Sequence, residues 1–141
     1  MPDSALSCPI LVRGLDDALT AGAAAGGLRV PLALMGQGVG GPLWLLGLLA
    51  RVRREFPELA ATALLDCSDR AGAAQGALAA GMPALLFTGR PDVAQRLAAI
   101  ASRRGAVVLT RCPYFLDMAA AGRPDLRCRE WLSRHCRNGS D

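Results

Sequence analysis

Val30–Asp69 reads VPLALMGQGVGGPLWLLGLLARVRREFPELAATALLDCSD. Val30–Met35 is a short apolar run stopped by glycine, as expected of a strand buried on both faces. Gly36-Gln37-Gly38-Val39-Gly40-Gly41 matches G-x-G-x-x-G, and a helical pattern follows it. Pro42 suits a first helical turn, where its missing donor costs nothing. Pro57 stops the helix near Phe56. Thr62–Leu65 is then a second strand, closed by Asp66. The stretch is therefore strand, glycine loop, helix, strand, acidic residue.

The same unit recurs on both sides. Upstream, Met1–Ser7 reads as a loose lead, Ile10–Val12 as a strand and Leu15–Ala25 as a helix ended by Gly26-Gly27. Asp16 and Asp17 complement that helix's positive N-terminal end. Downstream, Ser68 or Asp69 is a natural N-cap for a helix over Ala71–Ala80. Pro83–Phe87 and Ala106–Leu109 are further strands, separated by a helix from Pro91 to Arg104. A short helix is predicted over Tyr114–Ala121, and a basic amphipathic helix over Pro124–Cys136, with residues 137–141 as a frayed tail.

Five β–α units with connections of this length predict parallel strands and right-handed crossovers. The expected fold is one α/β domain of about five parallel strands. One arrangement is an open doubly wound sheet with helices on both faces, Rossmann- or flavodoxin-like. A partial (β/α)-barrel with strands in order is the alternative.

Composition closes off several chemistries. The chain has 141 residues, enough for one ordinary domain with its own core. All 16 basic residues are arginine, an arginine-rich, lysine-free pattern that fits a GC-rich bacterial coding bias. Schiff-base, P-loop and general-base lysine chemistry are thereby excluded. The single histidine, His135, argues against a histidine triad or a multi-histidine metal site. Net charge +4 and 4% aromatic residues give no strong case for nucleic acid. The five cysteines follow no secretory signal and read as reduced thiols in a cytoplasm. The uncharged stretch between Arg29 and Arg51 is long enough to span a bilayer, but five glycines and two prolines break it. No membrane partner is expected.

In a parallel α/β sheet, ligands sit beyond the carboxyl ends of the strands. The residues there are Arg13, Gly36, Gly38, Gly41, Asp66, Thr88 and Arg111, a set able to hold a phosphate or carboxylate. Read as a fingerprint, the glycine loop would take an NAD-type dinucleotide, with Asp66 on a ribose hydroxyl. The 25-residue step from Gly41 to Asp66 speaks against that, as does the motif's place after Val30–Met35, the chain's second predicted strand, where the fingerprint follows the first. Asp66, Cys67 and Asp69 are the candidate catalytic groups, as base, oxygen ligands or nucleophile. Against this, Asp69 reads as a cap, Asp66 as a partner for Arg13 or Arg111, and Cys67 as a small apolar residue. Cys112, Cys128, His135 and Cys136 have no recognised zinc spacing.

Leu64–Gly81, LLDCSDRAGAAQGALAAG, carries a resemblance when taken with the preceding P-x-x-L…G-x-G…G-P-x-W segment. It resembles a family of short bacterial α/β proteins without an assigned activity. Their L-D-C-x-D-x-x-G-x-A-x-x-A-L-x-x-G segment is matched by Asp66, Cys67, Asp69, Gly72, Ala77, Leu78 and Gly81. The helix–strand junction at Ala77–Gly81 is also similar to one in sugar-phosphate aldolase barrels, where it is a packing device. The likeness spans about residues 30–120 and implies a fold, not a reaction. Three function classes follow: a cytoplasmic domain binding a small anion, a small-molecule lyase or hydrolase, and an interaction subunit whose simplest form is a homodimer.

Overall fold

The computed structural model describes residues 5–37, 40–120 and 122–136. Six parallel strands and five α-helices form one sheet-and-helix unit. The strands are β1 (Ile10–Leu11), β2 (Leu32–Gln37), β3 (Ala61–Asp66), β4 (Ala84–Leu86), β5 (Val107–Leu109) and β6 (Leu116–Asp117). The helices are α1 (Leu15–Leu28), α2 (Gly41–Glu55), α3 (Ala71–Ala79), α4 (Pro91–Arg104) and α5 (Pro124–His135).

The strand order is β5-β4-β3-β2-β1-β6. The α/β class and parallel pairing agree with the sequence. Between the two architectures it left open, this sequential order belongs to the partial barrel. Right-handed crossovers between successive neighbours place every helix on one side of a sheet, and the burial pattern agrees. Ile10, Leu34, Ala63 and Leu85 pack with helix residues Ala21, Leu49, Ala77, Leu97 and Leu132 in one cluster. The alternate strand residues Leu11, Met35, Leu64, Ala84 and Leu86 form a second cluster on the opposite, concave face. Helices on both faces, expected of the doubly wound form, are therefore not found among the described residues.

The sixth strand is a correction. The helix expected over Tyr114–Ala121, whose last residue lies outside the described residues, is not found over Tyr114–Ala120: Leu116 and Asp117 pair with Ile10 and Leu11, and Met118–Ala120 is a 3-10 turn. Only residues 110–115 connect β5 to β6, although these strands occupy opposite edges. Five interstrand spacings of about 4.8 Å make roughly 24 Å across a flat sheet. The chain from Leu109 to Leu116 reaches at most about 25 Å when straight. It must also return toward the amino end of the sheet, since Leu116 is level with Ile10, Leu34 and Ala63. The sheet is therefore curved rather than flat, and its edge strands β5 and β6 do not pair.

The lead is not loose where it is described. Ala5–Ser7 is a 3-10 turn, and Ala5 and Leu6 are buried in the concave face, filling its floor. Helix α1 runs through Gly26 and Gly27 to Leu28, and Arg29 closes it in the left-handed region. Gly105 caps α4 at φ 69°, as its position after the last periodic residue predicts. Neither Ser68 nor Asp69 caps α3; its N-cap is Arg70, without a side-chain bond.

The cysteine reading is also corrected. Cys8 and Cys136 are joined as a disulfide with a Cα–Cα distance of 5.7 Å, within the usual range. Cys67, Cys112 and Cys128 are free. The disulfide ties the segment before β1 to the end of α5. Nearby, the Trp131 indole N–H donates to the Cys8 carbonyl at 3.0 Å.

Candidate functional site

An open cleft of about 370 Å³ lies at the carboxyl ends of β1 and β2. It is lined by Leu11, Val12, Arg13, Gln37, Gly40 and Trp44. Strand alternation explains why polar groups meet there. Arg13 follows Leu11 by two residues, Gln37 follows Met35, and Asp66 follows Leu64; all three share the concave face. Gln37 and Asp66 are direct neighbours in the β2–β3 register. The row of apolar side chains inside the curl thus ends, at the mouth, in a guanidinium, an amide and a carboxylate. In barrel folds the carboxyl-end mouth is where functional groups gather.

Trp44 forms a wall of this cleft through α2. Pro42 starts that helix, placing Trp44 in its first turn. A Cβ on Gly40 would lie 2.8 Å from indole atom Cδ2, and one on Gly36 would lie 3.4 Å from Cζ3. Gly40 therefore makes room for the ring, whereas a Cβ on Gly36 would press first on Leu45, at 3.1 Å. Gly36 belongs to buried β2, not to the loop, because the strand continues through Gln37. Gly41 opens α2 at φ 75°, in the region that favours glycine. Gly38 lies outside the described residues.

Arg13 is fixed from two sides. Its backbone N–H donates to Asp17 Oδ2 at 2.9 Å, so the first turn of α1 reaches back to the end of β1. Its guanidinium forms a two-bond pair with Asp117, Nη1 to Oδ1 and Nη2 to Oδ2, the latter at 3.2 Å. Asp117 Oδ1 also accepts from the Ala119 N–H at 2.9 Å. The hydrogen bond from Arg13 holds the Asp117 carboxyl below its ordinary pKa, outweighing the opposing effect of burial, and the Ala119 N–H and the Arg13 charge add smaller lowering effects. The Arg13 side chain remains 48% exposed, leaving guanidinium surface open to the cleft. Arg13's partner is thus Asp117, which the sequence did not single out.

The remaining candidates lie along the mouth toward β5. Asp66 accepts from the Ser68 N–H at 2.9 Å, shaping the turn after β3. Ser68 takes φ 53° and its carbonyl accepts from the Thr88 N–H at 2.8 Å, which ties this turn to the end of β4. Cys67 is buried, and burial, reinforced by Asp66, pushes its thiol up to about 11. It is protonated at neutral pH, whereas a nucleophilic cysteine needs a lowered pKa. Asp69, Thr88 and Arg111 are exposed; like Gly36, Gly41 and Asp66 they do not line the cleft, so that among the described candidates only Arg13 does. Cys112 is exposed, and its pKa is raised by partial burial and then by Asp66. The sulfur of Cys128 lies 3.2 Å from that of Met118 in the core. Among the described residues no three metal-ligating side chains cluster, and no helix is long and apolar enough to cross a membrane.

No family model matches the chain, and no curated protein matches it. Among solved structures it is similar to one from Coccidioides immitis described as a provisional fructose-1,6-biphosphate aldolase, with TM-score 0.60 and 17% identity. The match covers 72% of this chain and 39% of that one, so this chain spans about two fifths of its neighbour. At that identity the likeness concerns the fold, and it agrees with sequential strands curled toward a barrel.

Proposed function

We propose that this chain is a cytoplasmic binding domain for a small molecule bearing a carboxylate or phosphate, held in the cleft between β1 and β2. The observation that carries the reading is the half-exposed Arg13, its guanidinium held by Asp117 and its backbone by Asp17, in a cleft walled by Trp44. Arginine presents paired donors that match carboxylate and phosphate oxygens. The indole and Leu11 would cover an apolar part of the ligand, and the Gln37 amide offers a partner for a hydroxyl or amine. Such a mix of apolar wall and few convergent polar groups is what small-molecule sites share.

The fold of the aldolase-like neighbour brings no reaction with it. A Schiff-base route is closed because the chain contains no lysine. The test is a thermal-shift panel of inorganic phosphate, sugar phosphates and simple carboxylates on wild type and Arg13→Gln. Occupancy at a hundred times Kd raises stability by about 2.7 kcal/mol, a rise of several degrees. The reading expects one anion class to shift wild type and leave Arg13→Gln unmoved. Equal shifts in both proteins, or none in either, would reject it.

A further inference from the structure

The geometry points to a reversible redox pair at Cys8 and Cys136, whose oxidation locks α5 and the N-terminal 3-10 turn onto the domain. The inference does not depend on the ligand reading above. Its basis is that the same pocket accommodates both oxidation states. The two sulfurs are bonded, yet each also has a backbone carbonyl ready to accept from a thiol. Cys136 Sγ lies 3.4 Å from the Pro31 carbonyl, and Cys8 Sγ lies 3.7 Å from the Ala5 carbonyl. Reduction therefore does not strand two buried polar groups, and a pair satisfied in both states is one that exchange can cycle.

The position gives the pair leverage. Cys8 directly follows the turn whose Ala5 and Leu6 fill the concave floor. Cys136 is the C-cap of α5, whose Cys128 and Leu132 complete the core on the helix side. The bond closes a sequence separation of 128 residues. Both cysteines are almost wholly buried, at 0% and 1% exposure, so exchange requires the last turn of α5 to open. Where disulfides occur in reducing compartments they are usually transient and redox-sensing.

The step balances with a small-molecule disulfide such as oxidised glutathione. The Cys136 thiolate attacks one sulfur of that disulfide, breaks its S–S bond and releases one thiolate. The Cys8 thiolate then attacks the Cys136 sulfur, forming the internal bond and expelling the second thiolate. Two electrons pass from the protein to the small disulfide, and the two cysteine protons end on the two released thiols.

The experiment equilibrates the full chain in glutathione buffers from reducing to oxidising, followed by acid quench, alkylation and peptide mass spectrometry. Hydrogen exchange of α5 is followed in the same buffers. Five free thiols should fall to three, with a crosslinked peptide joining Cys8 and Cys136, and α5 amides should exchange at least about tenfold more slowly when oxidised. A Cys8→Ser variant, whose hydroxyl keeps the Ala5 carbonyl as acceptor, should show α5 exchange independent of the buffer. The inference is overturned if the crosslink never forms, if it survives the most reducing buffer, if another pair forms instead, or if α5 exchange ignores the crosslink. Should Cys8→Ser not fold, the wild-type readings decide alone.

Discussion

Arg13 and Asp117 are 104 residues apart in sequence and joined by two hydrogen bonds at the mouth of the curled sheet. Arg13 lies two residues past β1 and Asp117 ends β6, so the pair fastens the last strand to the first where the cleft opens. It holds the guanidinium in place and also sets a negative charge beside it.

Replacing Asp117 by Asn removes that charge while keeping the shape. Two opposite effects are expected. Stability falls by only about 0.5 kcal/mol, because both side chains are substantially exposed and surface pairs contribute little. Affinity for an anion in the cleft rises about threefold to tenfold, as repulsion of roughly 1 kcal/mol between charges in a wet site is removed. Urea unfolding and calorimetric titration of the same variant read the two effects separately.

The same pair gives a signed pH dependence. The folded pKa of Asp117 is lowered from 3.8, chiefly by Arg13. Its stabilisation is thus fully present above the ordinary carboxylate value and is lost as pH falls below it through the lowered folded value. Wild type and Asp117→Asn should differ in stability at pH 6 and converge toward pH 2. Denaturation midpoints across that range check the convergence.

Glycines in this chain divide by the space around them. A Cβ on Gly22 of α1 would sit 2.7 Å from Phe56 Cε2 where α1 meets α2, so Gly22→Ala should cost about 1–3 kcal/mol. Gly47, inside α2 and exposed, has nothing within 4 Å of such an atom. Gly47→Ala should stabilise by about 0.5–1 kcal/mol through helix propensity. Thermal midpoints moving in opposite directions would bear this out.

Leu6 is 5% exposed on the concave face. Leu6→Ala should cost about 2 kcal/mol, enough to lower Tm by roughly 5–10 °C. An unchanged Tm would mean that the 3-10 turn does not seal the interior.

Much of the fold was legible because it rests on local chemistry. Apolar runs located five strands, Pro42 marked the start of α2, and Gly105 marked the end of α4. What was missed depends on distant partners. A two-residue strand at Leu116–Asp117 has no alternation to detect, and only pairing with Ile10 and Leu11 makes it one. Leu6 reads as an isolated apolar residue until the sheet curls around it. Cys8 and Cys136 carry no local sign that they meet. Within the site, Arg13 was visible just after a strand end. Gln37 was hidden inside a glycine motif, and Trp44 gained meaning only when its ring was seen against Gly40.

An anion is expected to enter the cleft beside Arg13 and Trp44. The most direct test is fluorine NMR of protein labelled with 5-fluorotryptophan, titrated with inorganic phosphate, glycerol phosphate and citrate. The chain has two tryptophans, and a Trp131→Phe variant assigns their resonances. The account predicts that the Trp44 resonance moves saturably with at least one anion, that Trp131 does not, and that Arg13→Gln abolishes the movement. A Trp44 resonance unmoved by all three, or moved equally in Arg13→Gln, would contradict it.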